Sequence, residues 1–280
     1  MKTKYTKRFE IKDRICVITG GGGLLARRHA EAVIEGDGIP VLLDIASDGM
    51  ERIVSILREE YGSDVRIETL VVDITNRTGL ENICEQLVEK YGHIDILINN
   101  AANNPKMEGG SNNLGAMRFH NFPLDVWEQD IAVGLTGAML CAQVFGRQME
   151  VQGHGIILNI SSDYGIIAPD QRVYRKKGLS DDEQMVKPAS YSVVKHGIIG
   201  LTKYLSAYWA DRGIRVNTLC PASLSNGQPD EFVQKLSKRI PMGRMSHPDE
   251  YVCTILYLIS DASSYMTGST VVVDGGRTSW

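Results

Sequence analysis

Short apolar runs alternate with longer amphipathic stretches along roughly the first hundred residues of the chain. Four of the runs have the length and the β-branched content of buried strands: Arg14–Thr19, Pro40–Asp44, Leu70–Ile74 and Ile94–Ala102. Three stretches beside them have helical periodicity: Leu24–Ile34, Met50–Tyr61 and Gly79–Tyr91. Strands that alternate with helices predict an α/β fold, a doubly wound parallel sheet with helices on both faces.

Length and composition agree with one domain of this kind. The chain has 280 residues, of which 43% are hydrophobic, and can bury one large core. We expect a single Rossmann-fold domain over residues 11–280, after a flexible N-terminal extension at residues 1–10 that carries four basic side chains.

Charge and cysteine usage exclude several classes of function. The net charge is -4 without a basic stripe, which argues against a nucleic-acid partner. No apolar run approaches the ~18 residues of a membrane span. The five cysteines are scattered, as in a reducing cytosol, and the six histidines lack metal-ligand spacing. A soluble, cytoplasmic protein without a membrane partner or a metal is expected.

A glycine-rich turn follows the first predicted strand. Gly20–Gly23 would let the backbone approach a pyrophosphate at the start of the next helix. The second strand ends in Asp44, which can accept from a ribose 2'-hydroxyl and repel a 2'-phosphate, so NAD is favoured over NADP. Arg27 and Arg28 argue for NADP instead, because an arginine near the turn can hold a 2'-phosphate. Both arginines, however, fall inside the predicted helix. An ordinary strand-end carboxylate remains the alternative for Asp44.

Tyr191 and Lys195 form the second chemical signal, because residues four apart on a helix lie on one face. A phenol titrates near ~10, and an adjacent ammonium would lower that pKa toward the range in which a base works. The spacing alone also arises by chance. The same chain also carries the glycine turn and the segment Asn159–Ser162, and this combination makes a catalytic role the better interpretation.

The order of these motifs resembles the short-chain dehydrogenase/reductase family over essentially Asp13 to Gly276. The resemblance rests on several short motifs in one order: the turn at Thr19–Ala26, Asp73, Asn99–Ala102, Ser162, Tyr191–Lys195, Pro221 and Val273–Gly276. It implies that Ser162 polarises the reacting oxygen, that Tyr191 exchanges its proton, and that Lys195 assists and binds the nicotinamide ribose. Ser162 is preferred to Ser161 because it lies three residues before a glycine.

The resemblance also implies a set of cofactor-binding residues. These are Gly20, Gly22, Gly23, Leu24, Leu25, Asp44, Ile45, Asp73, Ile74, Asn100, Ala101, Ala102, Ile160, Tyr191, Lys195, Pro221, Ala222 and Leu224. Asp73 and Asn100 are alternatively ordinary turn residues at strand ends. Members of the family usually pair through the helix with the tyrosine, so a homotetramer or homodimer is expected.

The chain departs from the family pattern in three places. Leu24 and Ala26 stand where the last two glycines of the turn usually are, and Gly23 could replace one of them. Gly134 stands where an asparagine usually completes a proton relay, so altered proton delivery is expected. Ala222 replaces the glycine that usually follows Pro221.

The substrate is less well indicated. Three variable loops are expected to surround it: 103–125, 163–190 and 222–240. Asn103, Arg172 and Arg175 are candidate substrate residues, because arginine suits a phosphate. A solvated charged surface is the alternative for the basic loop.

Within the family, Asn99–Ala102, Ser162–Pro169 with the later Tyr174, and Asn226–Pro229 resemble the flagellin-modification and amino-sugar branch. We expect an NAD-dependent oxidoreductase that interconverts a secondary alcohol and a ketone on a sugar-like or phosphorylated small molecule. A 3-oxoacyl or simple polyol reductase is one alternative. A dinucleotide-sensing regulator without catalysis is another.

Overall fold

The computed structural model describes residues 3–103 and 117–280. Seven parallel strands form one sheet in the order β3-β2-β1-β4-β5-β6-β7. The strands are β1 Ile15–Thr19, β2 Ile39–Asp44, β3 Glu68–Val71, β4 Ile96–Asn99, β5 Gly155–Ile160, β6 Ile214–Pro221 and β7 Thr270–Val273. The predicted α/β class and the parallel doubly wound sheet are confirmed.

Helices cover both faces of the sheet. In the described residues they are α1 Ala26–Glu35, α2 Ser47–Tyr61, α3 Arg77–Tyr91, α4 Leu124–Ile131, α5 Ala138–Gln152, α6 Ala189–Trp209, α7 Asp230–Ser237 and α8 Val252–Ile259. A π-helical turn, Ala132–Gly137, joins α4 to α5. The three amphipathic stretches of the sequence correspond to α1, α2 and α3.

Two hydrophobic clusters form because side chains alternate across each strand. In β1, Ile15 and Val17 pack with α3, α5 and α6 on one face of the sheet. Cys16 and Ile18 pack with α1, α2 and α8 on the other. The central strands β1, β2, β4 and β5 are almost entirely buried, which accounts for their continuous apolar runs.

A short turn near the N-terminus contacts α8 through one aromatic ring. Thr6–Phe9 forms a short 3-10 turn, and the ring of Phe9 lies 6.4 Å from that of Tyr257. None of the helices in the described parts of the chain is long and apolar enough to cross a membrane.

Candidate active site

A cleft of about 640 Å³ opens at the carboxyl ends of the strands. The strand order reverses between β1 and β4, the place where ligands bind in open parallel sheets. Most of the predicted cofactor residues line this cleft: Gly20, Gly23, Leu24, Leu25, Asp44, Ile45, Asp73, Ile74, Asn100, Ala101, Ala102, Ile160, Pro221, Ala222 and Leu224. Asn103, Ser162, Tyr191 and Lys195 line it as well.

The glycine turn is fastened to the end of β4. The side-chain amide of Asn100 donates to the carbonyls of Thr19 and Gly20, at 3.0 and 3.2 Å. Gly20 has a φ of +65°, and a Cβ there would lie 2.9 Å from the Cα of Ala101. Gly20 is therefore required by the close approach of two backbone segments.

Gly23 is the glycine that keeps the cleft open. A Cβ on it would meet only the carbonyl of Gly20 within 4 Å, so a side chain there would project into space that the turn leaves empty. Helix α1 begins at Ala26, directly after Leu24 and Leu25, so its N-terminus faces the same space. This cradle fits the diphosphate of a nicotinamide dinucleotide in spite of the missing later glycines.

Asp44 lies at one edge of the cleft. Its carboxylate accepts from the backbone N–H groups of Gly22 and Ile45, at 2.9 and 2.7 Å. Gly22 itself is absent from the cleft wall, so its contribution is to orient Asp44. Arg27 and Arg28 both pair with Glu31 on their own helix, at 2.7 and 2.6 Å. Neither arginine lines the cleft.

Ser162, Tyr191 and Lys195 all line the cleft. The ammonium of Lys195 donates to the carbonyl of Ile160 at 2.8 Å and lies 5.7 Å from the centre of the Tyr191 ring. Burial, with a smaller repulsion from Lys187, lowers the pKa of Lys195 to about 8. The hydroxyl of Ser161 donates to the carbonyl of Lys195 at 2.7 Å and has a structural partner there.

The pKa of Tyr191 moves in the direction opposite to the one that the sequence indicates. Burial raises it to about 12, against a smaller lowering from a hydrogen bond with Ser162, and the charge of Asp163 raises it further. The helix does place Lys195 beside the ring, but its ammonium is held by Ile160. In the protein by itself, desolvation of the phenolate outweighs the attraction of that ammonium.

Lys187 was not predicted, although it lines the cleft. It precedes α6, and its ammonium lies 3.9 Å from the centre of the Tyr191 ring, closer than that of Lys195. Burial lowers the pKa of Lys187 to about 8, against raising effects from Asp163 and Asp130. The one available signal was a lysine four positions before the tyrosine.

The missing relay asparagine has a steric explanation. Gly134 lies in the π-helical turn against α6, and a Cβ on it would be 2.6 Å from a methyl group of Val194. A side chain at position 134 would therefore collide with the helix that carries Tyr191.

The substrate end of the cleft combines polar and apolar side chains. Its walls include Gln129, Tyr174, Gln228, Phe232 and Met245. The structure does not bring Arg172 or Arg175 to this wall. Arg172 is 75% exposed and pairs with Asp170 at 2.8 Å, and Arg175 is 61% exposed. Most of the loop 103–125 lies outside the described residues.

In the described parts of the chain, no group of three His, Cys, Asp or Glu side chains could hold a metal ion.

A parallel sheet with a dinucleotide cleft and a Ser-Tyr-Lys site defines a nicotinamide-dependent oxidoreductase. A family model described as "Enoyl-(Acyl carrier protein) reductase" matches residues 24–278. The chain belongs to the short-chain dehydrogenase/reductase family and acts on CH–OH groups.

Individual relatives differ in substrate. The chain is 31% identical to the NAD-dependent glycerol dehydrogenase of Listeria innocua, over 98% of this chain and 97% of that one. It is 28% identical to the 3-oxoacyl-(acyl-carrier-protein) reductase FabG of Thermotoga maritima, over 95% and 98%. A gluconate 5-dehydrogenase from Burkholderia cenocepacia, in complex with NADP and tartrate, superposes with a TM-score of 0.81 at 27% identity, over 98% of both chains.

Proposed function

We propose that this protein is an NAD-dependent dehydrogenase that interconverts a secondary alcohol and a ketone on a small polyhydroxylated substrate. The observation that carries the proposal is that Ser162, Tyr191 and Lys195 line the same cleft as the predicted dinucleotide-binding residues. Bound nicotinamide would supply the exchange of hydride, and the protein's own groups would bind the reacting oxygen and move its proton.

Tyr191 is the acid–base group of this proposal. As a phenol it donates to the oxygen of a ketone, and as a phenolate it takes the proton of an alcohol. Lys195 and Lys187 place positive charge near the ring, which favours the phenolate. Ser162, which is buried, contacts the same substrate oxygen.

NAD is preferred over NADP because Asp44 supplies negative charge where a 2'-phosphate would lie. Arg27 and Arg28, which could have attracted that phosphate, are paired with Glu31. Gly22 and Ile45 hold the Asp44 carboxylate by their N–H groups.

A polyol or sugar is preferred as substrate because Gln129, Gln228 and Tyr174 offer hydrogen bonds around an otherwise apolar wall. The similarity to glycerol and gluconate dehydrogenases points the same way. A phosphorylated or amino sugar, as in the flagellin-modification branch, draws no support from Arg172, whose partner is Asp170.

A 3-oxoacyl reductase is the second candidate, favoured by the similarity to FabG and by Phe232, Leu236 and Met245 in the cleft wall. These apolar side chains could contact an acyl chain.

A matched substrate panel separates these possibilities. NAD-linked absorbance would be followed with polyols, sugar acids, nucleotide sugars, amino sugars and sugar phosphates, and with acyl thioesters in the reducing direction. Each is repeated with the 2'-phosphorylated cofactor. We expect turnover on polyols or sugar acids with NAD. Turnover restricted to acyl thioesters would establish the reductase, and binding of cofactor without any turnover would indicate a regulator.

Replacing Tyr191 by Phe removes the proton-exchanging oxygen and keeps the ring. We expect turnover to fall by about 10²–10⁴-fold while the Kd for NADH, measured by fluorescence, stays nearly constant. The matched control is Tyr204→Phe, an exposed tyrosine on the same helix, which should keep full activity. Undiminished turnover in the Tyr191 variant would exclude this mechanism.

A further inference from the structure

Lys187 and Lys195 are the only cations among the described residues that line the cleft. The ammonium of Lys195 already donates to the carbonyl of Ile160 at 2.8 Å. Lys187 is 9% exposed, and its ammonium lies 3.9 Å from the centre of the Tyr191 ring. In the proposed reaction the hydroxyl of that ring reaches the reacting oxygen. A positive charge on the face of the ring therefore lies close to the carbon chain of a bound substrate.

Two carboxylates whose charges act on Lys187 are engaged with other side chains. Asp163 pairs with Nε of Arg277 at 2.7 Å, and Asp130 accepts from the hydroxyl of Ser190 at 2.5 Å. Both charges raise the pKa of Lys187, yet burial outweighs them and lowers it to about 8. The charge of the protonated lysine is thus incompletely compensated, and a further negative charge in the cleft would be attracted to it.

The surrounding wall leaves room for such a group. An ammonium has three hydrogens to donate, so Lys187 can bind an anion in addition to its contacts within the protein. Gln129, Tyr174 and Gln228 line the same cleft. Their amides and phenol suit the hydroxyl groups of a substrate, and they add no negative charge that would repel an anion.

A carboxylate fits this wall better than a phosphate. A phosphate ester carries nearly two negative charges, and arginine is its usual bidentate partner. No arginine stands in the described lining of the cleft, and both Arg172 and Arg175 are exposed. One ammonium beside neutral amides matches the single charge of a carboxylate.

We propose that Lys187 is a specificity residue that binds a carboxylate of the substrate. The preferred substrate is then a polyhydroxylated acid, with its carboxylate a few carbons from the secondary alcohol that reacts. This inference rests on the proposed function, because the carboxylate is placed relative to the oxygen that exchanges its proton with Tyr191.

Acids and their primary amides test the inference, because the two have nearly the same shape and differ in charge. Glycerate, threonate and gluconate would be compared with glyceramide, threonamide and gluconamide. The readout is the acid-to-amide ratio of kcat/KM with NAD⁺. Any effect of Lys187 on the basicity of Tyr191 acts on both members of a pair, so it cancels in this ratio.

In the wild-type protein we expect at least one acid to be preferred over its amide by about tenfold or more, the effect of a hydrogen bond to a charged group. In Lys187→Met this ratio should fall by about tenfold, because methionine has neither the charge nor the hydrogens. Lys187→Arg should keep most of the preference, because the positive charge remains.

Lys177→Met is the matched control, since this lysine is exposed in the same loop, and its ratio should stay at the wild-type value. Where a variant turns over too slowly, the Kd values of gluconate and gluconamide in the NADH complex supply the ratio, because an alcohol cannot reduce NADH. If Lys187→Met fails to fold, Lys187→Gln replaces it with the same expected fall.

Two results would overturn the inference: a wild-type protein that prefers no acid over its amide, or a Lys187→Met variant that keeps the wild-type ratio. A preference for glycerol 3-phosphate over glycerate would overturn the choice of a carboxylate. Turnover of neutral polyols without any preference for acids would contradict the inference and leave the proposed function intact. Absence of turnover on the whole panel would contradict the proposed function, and gluconate binding in the NADH complex would still test Lys187.

Discussion

Tyr191 has two buried ammonium groups near its ring, and the one outside the Tyr-x-x-x-Lys spacing is closer. Lys187 lies 3.9 Å from the ring centre and Lys195 lies 5.7 Å from it. Burial lowers the pKa of each to about 8, so both are mostly charged at neutral pH. Desolvation and the charge of Asp163 both raise the pKa of Tyr191 and so disfavour its phenolate. We therefore propose that the ammonium groups of Lys187 and Lys195 together stabilise the phenolate when Tyr191 acts as a base.

Replacing Lys187 by Met removes one of these charges and keeps a chain of similar length. We expect the pKa of Tyr191 to rise by about one unit, since a charge several ångströms away at an effective dielectric near 20 contributes a few kcal/mol before relaxation. Oxidation needs the phenolate, so kcat/KM rises with pH in both proteins. In Lys187→Met this rise should occur at higher pH than in the wild-type protein. Above about pH 8 the wild-type ammonium is itself lost, and the two curves should converge.

Initial rates across the pH range check this expectation. Lys177→Met, an exposed lysine in the same loop, is the control and should leave the profile unchanged. Superimposable profiles for Lys187→Met and the wild-type protein would show that Lys187 only packs against the ring.

Asp44→Asn removes the charge at the cleft edge and keeps an oxygen for the N–H of Gly22. We expect the NAD-to-NADP ratio of kcat/KM to fall by about tenfold, because the repulsion toward a 2'-phosphate disappears. The ratio is measured with the best alcohol of the panel. Asp48→Asn, an exposed carboxylate in the first turn of α2, should leave the ratio constant. An unchanged ratio in Asp44→Asn would show that Asp44 only accepts hydrogen bonds from Gly22 and Ile45 and does not select the cofactor.

Among the elements, the junction of α4, α5 and α6 departs most from regular structure. The π-helical turn brings Gly134 against Val194, three residues after Tyr191, and so sets how closely this helix approaches the core. No periodicity in the sequence indicates this turn. Strands β1 to β4 and helices α1 to α3 were predictable because their burial depends on local alternation, whereas the π turn depends on what packs against it.

Gly134→Asn would restore the family's usual residue at a cost in stability. We expect the free energy of unfolding to fall by about 1–3 kcal/mol, because the new Cβ overlaps Val194. Chemical denaturation measures the loss, and Val194→Ala should relieve most of it. The control is Gly200→Ala on α6, where a Cβ meets nothing within 4 Å and a gain of about 0.5–1 kcal/mol is expected. A stable Gly134 variant would show that the turn repacks easily.

Across the whole molecule, the exposed side of α6 carries aromatic side chains. Tyr204 and Tyr208 are 65% and 59% exposed, and their rings stack 5.8 Å apart. Val193 is exposed on the same helix, while Ile198 belongs to the core. We expect two copies of the chain to pair through this surface in a homodimer or homotetramer.

Substitution of both Tyr204 and Tyr208 by Ser should weaken that association. Sedimentation velocity is expected to show a wild-type oligomer and a variant that dissociates at micromolar concentration, because two aromatic anchors are lost. Tyr265→Ser, a fully exposed tyrosine after α8, should leave the assembly intact. A wild-type protein that sediments as a monomer at every concentration would contradict the prediction.

The sequence by itself determined the order of the first four strands and the first three helices, the glycine turn, the acid at the end of β2, and the choice of Ser162, Tyr191 and Lys195, which the fold brings to one cleft. Each of these has a signal within a few residues, in periodicity or in the spacing of a motif. Arg172 shows the limit of such signals, because its charge is apparent in the sequence but its partner, Asp170, is not.

Only the tertiary structure decided how the site is charged. Arg277 reaches Asp163 from the far end of the chain, and Lys187 lies over the Tyr191 ring although it precedes the helix. The pKa of a buried group depends on its loss of water and on charges brought close by folding, and neither is encoded in local spacing. For this reason the residues that meet in the cleft could be predicted from the sequence, whereas the pKa of Tyr191 could not.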